Sequence, residues 1–203
     1  MKIFICASKY HYHKIPEIVP ELESMGHKLT MPNGYDSPGM EEEMKNKSKE
    51  ESENWKKEML KKDYEIISRH DAILVLNLEK KGIQNYIGGA TFLEIHNAFL
   101  LNKKIFLYNP IPDCIFADEI RGMTPIILEG NIKIMNTFLP KKFFEILEKQ
   151  RAKYQNAYKP WTGEEDIELE KLGIEKSKTI KELSVMFGRN PGAIRSRLKK
   201  FGL

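Results

Sequence analysis

Two stretches limit the fold before anything else is read: residues 71–78, DAILVLNL, and residues 103–112, KKIFLYNPIP. Each is a continuous apolar run closed by polar residues, the pattern of a strand covered on both faces. A strand with one face in water would alternate instead. Residues 2–7, KIFICA, open the chain in the same way. Between these runs the apolar residues change to helical spacing. IPEIVPELESMGH keeps that spacing until Gly26 stops it. Residues 41–63 form a charge-dense run; Trp55, Met59 and Ile66 mark one face and Leu60, Tyr64 and Ile67 an adjoining one, as in one long amphipathic helix. KLTMPN reads as a second short strand before the turn-rich NGYDSPG. PIILEG and IKIM read as further short strands before the helix KKFFEILEKQRAK. Strands alternating with helices require right-handed crossovers and a parallel sheet with helices on both sides.

The expected fold is an α/β domain over residues 1–150, a doubly wound parallel sheet of flavodoxin-like or Rossmann-like type. A linker over 151–159, in the region of YQNAYKP, leads to a small all-α tri-helical domain over 160–203. Charge divides the chain in the same place. Of 33 Lys+Arg and 29 Asp+Glu, residues 151–203 hold 12 and 7, leaving 21 and 22 for the rest, so the excess of basic residues belongs to the C-terminal quarter. That asymmetry points to a polyanionic partner for the tail and gives no such hint for the body. No apolar stretch approaches the roughly 20 residues that span a bilayer. The opening strand lacks the core and cleavage site of a signal peptide, so a cytoplasmic location and no membrane partner are expected. Cys6 and Cys114 are too few for a disulfide framework or a cysteine zinc site and read as reduced thiols.

Ligands of open parallel sheets bind beyond the carboxyl ends of the strands, where loops lead into helix N-termini. NYIGGATFLEIHNAF, residues 85–99, occupies such a place. Gly88 and Gly89 allow backbone amides to approach a ligand, and a helix start favours an anionic group. Glu94 follows, two turns into a helix whose other residues are largely apolar. A carboxylate in such surroundings costs desolvation unless it has a partner or a task. Ser8, Lys9 and Tyr10 follow the first strand, where they could hold a sugar hydroxyl or a phosphate. Asn77 and Asn109 end the two central runs at the same edge. His11 and His13 lack a matching third ligand, so they read as surface histidines, and neither a metal nor a cofactor is expected.

DYEIISRHDAILVLN and GGATFLEIHNAF together resemble the nucleoside 2-deoxyribosyltransferase family, including its deoxynucleotide N-glycosidase relatives, over roughly residues 2–130. The resemblance implies that Glu94 is the nucleophile, that Asp63 assists the leaving base, and that Asp71 is structural. It also implies an oligomer, a dimer or larger, in which a neighbouring subunit completes the substrate site. The chain keeps Thr91, Glu94, Ile95 and Ala98 of the family's loop and helix. It departs at Gly88, where a base-contacting Asp often stands, and at Ala90 and His96, so base selectivity does not carry over. The GGATFLE run also looks like a shortened loop of the cytokinin-activating phosphoribohydrolases, which cleave the same class of bond. Chemistry alone gives a parallel requirement. Breaking a C1′–N bond needs one carboxylate to attack or stabilise C1′ and a proton donor for the base.

The last segment is punctuated clearly. Thr162 is placed to cap one helix, Thr179 with Glu182 forms a capping box for a second, and Gly188 ends it. Asn190 then caps a third helix with Pro191 at its first position. Trp161, Leu169, Leu183, Phe187, Ile194 and Leu198 would form its core. WTGEED followed by IKELSVMFGRNPGAIRSRL resembles a Myb-like or SANT-like helix-turn-helix. The resemblance implies a third helix that enters DNA, with Arg189, Arg195, Arg197, Lys199 and Lys200 as nucleic-acid contacts. SANT-like domains also bind proteins, and that alternative stays open. The expected function is cleavage or transfer at the N-glycosidic bond of a nucleoside or nucleotide, coupled to a nucleic-acid-binding module. The alternative is a non-catalytic nucleotide sensor that regulates DNA binding.

Overall fold

Five strands form one all-parallel sheet in the computed structural model, which describes every residue except Pro140 and leaves out the side chains of residues 141–144. They are β1 (Lys2–Ala7), β2 (Lys28–Thr30), β3 (Ala72–Leu76), β4 (Lys104–Leu107) and β5 (Ile126–Ile127), in the order β2-β1-β3-β4-β5. Ile3 pairs with Ala72 and Ala7 with Leu76; Ala72 in turn pairs with Lys104. Every residue of β3 is buried, as its unbroken apolar run requires. The Asp71 carboxylate accepts the backbone N–H of Lys2 at 2.7 Å, which ties the start of β3 to the start of β1. From β1 the chain goes first to β2 on one side and then to β3 on the other. The strand order therefore reverses beside β1, and a crevice opens beyond the carboxyl ends there.

Five helices accompany the sheet: α1 (Ile15–Ser24), α2 (Met40–Lys45), α3 (Lys49–Ser68), α4 (Gly89–Leu100) and α5 (Ala117–Gly122). The core beneath α3, α4 and α5 joins Phe4, Cys6, Ile73 and Val75 from the strands to Ile67, Ile95, Ala98 and Ile120 from the helices. Two expectations are corrected. The charge-dense run is not one helix, because Ser48 starts a new one. Its side chain accepts the N–H of Glu51, and the Glu51 carboxylate reaches back to the Ser48 N–H. IKIM is not a strand but the start of a 3-10 helix, Ile132–Phe138. Its buried residues, Ile132 and Met135, stand three apart, which is the repeat of that helix.

Two compact units divide the chain: Met1–Leu22 with His27–Phe138, and Glu23–Gly26 with Leu139–Leu203. The second contains α6 (Lys141–Lys153), α7 (Gly163–Glu175), α8 (Ile180–Met186) and α9 (Pro191–Lys200). Thr162, Thr179 and Asn190 each accept a backbone N–H at the start of their helix. Leu169, Leu183, Phe187, Ile194 and Leu198 form one apolar cluster, with Trp161, Leu172, Ile180 and Phe201 against it. Among the described residues no helix is long and apolar enough to cross a membrane.

Arg189 was expected to face nucleic acid, and the structure places it elsewhere. It is 3% exposed, pairs with Glu165 at 2.8 Å, and donates to the carbonyls of Asn156, Lys159 and Pro160. Its guanidinium lies 4.1 Å from the centroid of the Trp161 ring. Arg197 is likewise engaged, as a two-pronged pair with Asp166. The reason is a planar fork of donors that matches carboxylates and converging carbonyls better than solvent does. Gly188 makes the approach to Arg189 possible. Its φ is +58°, and a Cβ there would meet Gln155 Cγ at 2.7 Å. Arg189→Ala is expected to destabilise this unit by about 3 kcal/mol, because it leaves Glu165 and three carbonyls without their donor. Arg189→Lys should recover little, since a point charge cannot serve all four acceptors. Equilibrium denaturation of the two variants checks both expectations.

Candidate active site

The crevice beyond β1 and β3 holds a cavity of about 380 Å³. Its walls come from the end of β1 with the turn after it (Ala7, Ser8, Lys9, Tyr12), from the loop after β2 (Asn33, Gly34), from α2 and α3, and from Lys80 and Tyr86 leading into α4. Glu94 and Asp63 both line it. Helical spacing explains Glu94. Thr91, Glu94, Ile95 and Ala98 are the buried residues of α4, so the carboxylate lies on the stripe that faces the sheet and not on the solvent side. Asp63 is reached in the same way, one turn before Ile67 on the buried stripe of α3.

The two carboxyl groups are unlike surface acids. Burial above all, and then the charge of Asp63, push Glu94 up to about 8. Burial pushes Asp63 up to about 6, against the opposing effect of a hydrogen bond donated by Asn33 Nδ2. Tyr12 is raised to about 12, first by burial and then by the charges of Glu94 and Asp63. Between about 6 and about 8 the carboxyl pair therefore holds one proton, mainly on Glu94.

Ser8, Lys9, Gly88 and Gly89 line the cavity together with the two acids. Lys9 forms ion pairs with Glu41 and Glu42, so its charge is partly answered from α2. Lys80 donates to Ser8 Oγ at 3.2 Å and lies 4.4 Å from the Tyr86 ring centroid. Gly88 has a packing reason to be glycine, because a Cβ would come within 3.0 Å of Tyr86 Oη. A Cβ on Gly89 would meet nothing within 4 Å.

Three expected contacts do not line the cavity. Tyr10 is 55% exposed, edge-on to His11. Asn77 and Asn109 are occupied with each other. Asn77 Nδ2 donates to the carbonyls of Asn109 and Pro110, Asn77 Oδ1 accepts the Asn109 N–H, and Asn109 Nδ2 returns a bond to the Asn77 carbonyl. Asn77 is fully buried, so its amide needs partners for two donors and an acceptor, and this brace with the half-buried Asn109 supplies them. His11, read as a surface histidine, is buried with Nε2 2.9 Å from the Glu79 carbonyl, whereas His13 is exposed. Sequence reasoning missed Tyr12, Asn33, Lys56, Lys80 and Tyr86. Asn33 falls where KLTMPN reads as a strand and NGYDSPG as a turn; the strand ends at Thr30, which leaves Asn33 in the loop that lines the cavity. No protein-family model matches the chain, and none of the curated proteins is significantly similar to it.

Glu94→Gln is expected to stabilise the fold at neutral pH and to do nothing at pH 4. A carboxyl held up near 8 in the folded state opposes folding increasingly as pH rises above its unfolded value near 4.5, and the effect levels off above about 8. An amide removes that opposition. Thermal unfolding should show Tm raised by roughly 5 °C at pH 7–8, with the two proteins converging in acid.

Proposed function

We propose that the cavity cleaves or transfers at the N-glycosidic bond of a nucleoside or nucleotide. The observation that carries this reading is the convergence of two buried carboxyl groups of different acidity, Glu94 and Asp63, on one cavity. Glu94 in its ionised form attacks C1′ as the C1′–N bond breaks, giving a glycosyl ester on Glu94. Asp63, oriented by Asn33, gives its proton to the departing base. Water or an acceptor base, deprotonated by Asp63, then attacks C1′ and frees Glu94. The reactive arrangement has the pair's single proton on Asp63, a minority of the one-proton state, because burial favours the proton on Glu94. The resemblance to the nucleoside 2-deoxyribosyltransferases supports the same two roles, and Leu93, Phe99 and Leu100, exposed on α4, offer apolar surface for the implied oligomer.

The same proposal gives α9 a nucleic-acid role, in keeping with its likeness to a Myb-like helix-turn-helix. Arg195, Lys199 and Lys200 are exposed there and carry the phosphate contacts, while Arg189 and Arg197 support the helix from inside. A second reading, a nucleotide sensor without catalysis, is favoured by Gly88, which leaves the loop without a carboxylate at that point.

Incubation with a panel of nucleosides and nucleotides, followed for free base, tests the reading. Base release should be bell-shaped in pH, with limbs near 6 and 8, and should be lost in Glu94→Ala. Undiminished release in that variant removes Glu94 as nucleophile. No release from the unmodified protein, together with ligand-dependent DNA binding, selects the sensor. Arg195→Ala with Lys199→Ala should weaken DNA binding and reduce its salt slope by up to about two; salt-insensitive binding would turn α9 toward a protein partner.

A further inference from the structure

The carboxyl pair occupies only part of the cavity. On α3 the lining residues are Trp55, Lys56, Met59 and Asp63. Trp55, Met59 and Asp63 follow one another at intervals of four, so they share one stripe of the helix. Inward of Asp63 that stripe is closed, because Ile67 belongs to the core and Ile66 packs against it. Outward it stays open. Trp55 and Met59 are half-buried, stand outside that core cluster and line the cavity instead, on a stretch of helix otherwise rich in charge. Pro32, Pro38 and Met40 bring further apolar surface to the same cavity. The polar lining gathers off this helix, where Lys80 meets Ser8 and the Tyr86 ring.

We propose that Met59 and Trp55 form the base subsite of this cavity and that it takes a two-ring base, so that purine nucleosides or nucleotides bind in preference to pyrimidine ones. The proposal rests on the reading of Asp63 as the acid that protonates the departing base. A base bonded to Asp63 has no room inward, where the core is packed, and so lies outward along α3. At about 1.5 Å of rise per residue, Met59 is about 6 Å from Asp63 along the axis and Trp55 about 12 Å. A pyrimidine ring held at Asp63 covers the Met59 thioether and stops there. The second ring of a purine carries the base on to the indole, which stacks on it. Both side chains suit an aromatic ligand: the thioether is polarisable and adapts to a ring, and the indole offers a broad flat face. Lys56 Nζ lies 5.9 Å from the indole centroid, a cation contact that helps to hold the ring in place.

Two measurements on the full chain test this. The chain has two tryptophans, so Trp161→Phe, which keeps an aromatic face for Arg189, leaves Trp55 as the sole indole emitter. Glu94→Gln is added to prevent turnover. Into this protein are titrated 2′-deoxyadenosine, 2′-deoxyguanosine, thymidine and 2′-deoxycytidine, each with and without a 5′-phosphate. The purine compounds should quench the emission saturably and the pyrimidine compounds should not. Equal quenching by both classes overturns the proposal, as does the absence of saturable quenching by any purine. In the second measurement, calorimetry on the Glu94→Gln protein, Trp55→Ala should raise the Kd of the purine compounds about tenfold. Trp55→Phe, which keeps a stacking face, should recover most of that loss. A purine Kd unchanged in Trp55→Ala also overturns the proposal. Purines that stack on Trp55 in a protein whose Glu94-intact form releases no base sink the glycosidic reading and leave the subsite. Base release at equal kcat/KM from purine and pyrimidine compounds sinks the subsite and leaves the glycosidic reading.

Discussion

Burial of the sheet on both faces is the constraint from which the rest follows. Strands such as β3 have no side left for polar chemistry, so the functional groups must come from where strands end and helices pass over them. Glu94 and Asp63 satisfy this in the same manner. Each sits on the buried stripe of a helix, with Ile95 and Ile67 anchoring their respective stripes in the core. The apolar packing that fixes the two helices also withdraws water from the two acids, and that withdrawal raises both above ordinary carboxyl values. Fold stability and acid–base character are consequently set by the same contacts, in opposite directions.

The parallel sheet was legible because a continuous apolar run has few other uses at that length, and three such runs alternate with helical patterns. The caps at Thr162, Thr179 and Asn190 were legible for a local reason, since each side chain bonds within three residues of itself. The same local rule was overlooked at Ser48, where the dense charge on both sides hid the break between α2 and α3. Glu94 stood out as a charge among apolar neighbours. Asn33 and Lys80 did not, because their partners, Asp63 and Ser8, lie 30 and 72 residues away along the chain. Asn77 and Asn109 show the converse error: their position at the right edge suggested ligand contact, but a polar side chain buried at a strand end first needs partners of its own.

Arginine gave the other instructive failure. A count of positive charge along α9 and just before it treats every arginine as available, yet two of the three in that stretch are tied to Glu165 and Asp166 of α7. Those acids stand at the start of α7, where negative charge is favoured by the free N–H groups of the helix. The basic tail is therefore less basic at its surface than its composition suggests.

The same arginine links segments that the sequence appears to separate. Arg189 holds the carbonyls of Asn156, Lys159 and Pro160, and Asn156 Nδ2 donates in return to the Phe187 carbonyl. The stretch read as a linker is thus part of the scaffold that carries α9. In terms of modular inheritance, the unit that could be excised or moved between proteins does not start at the helix caps. It starts at or before residue 156, and a fragment that begins at residue 160 would lose two of the three carbonyls, those of Asn156 and Lys159, that hold its own buried arginine.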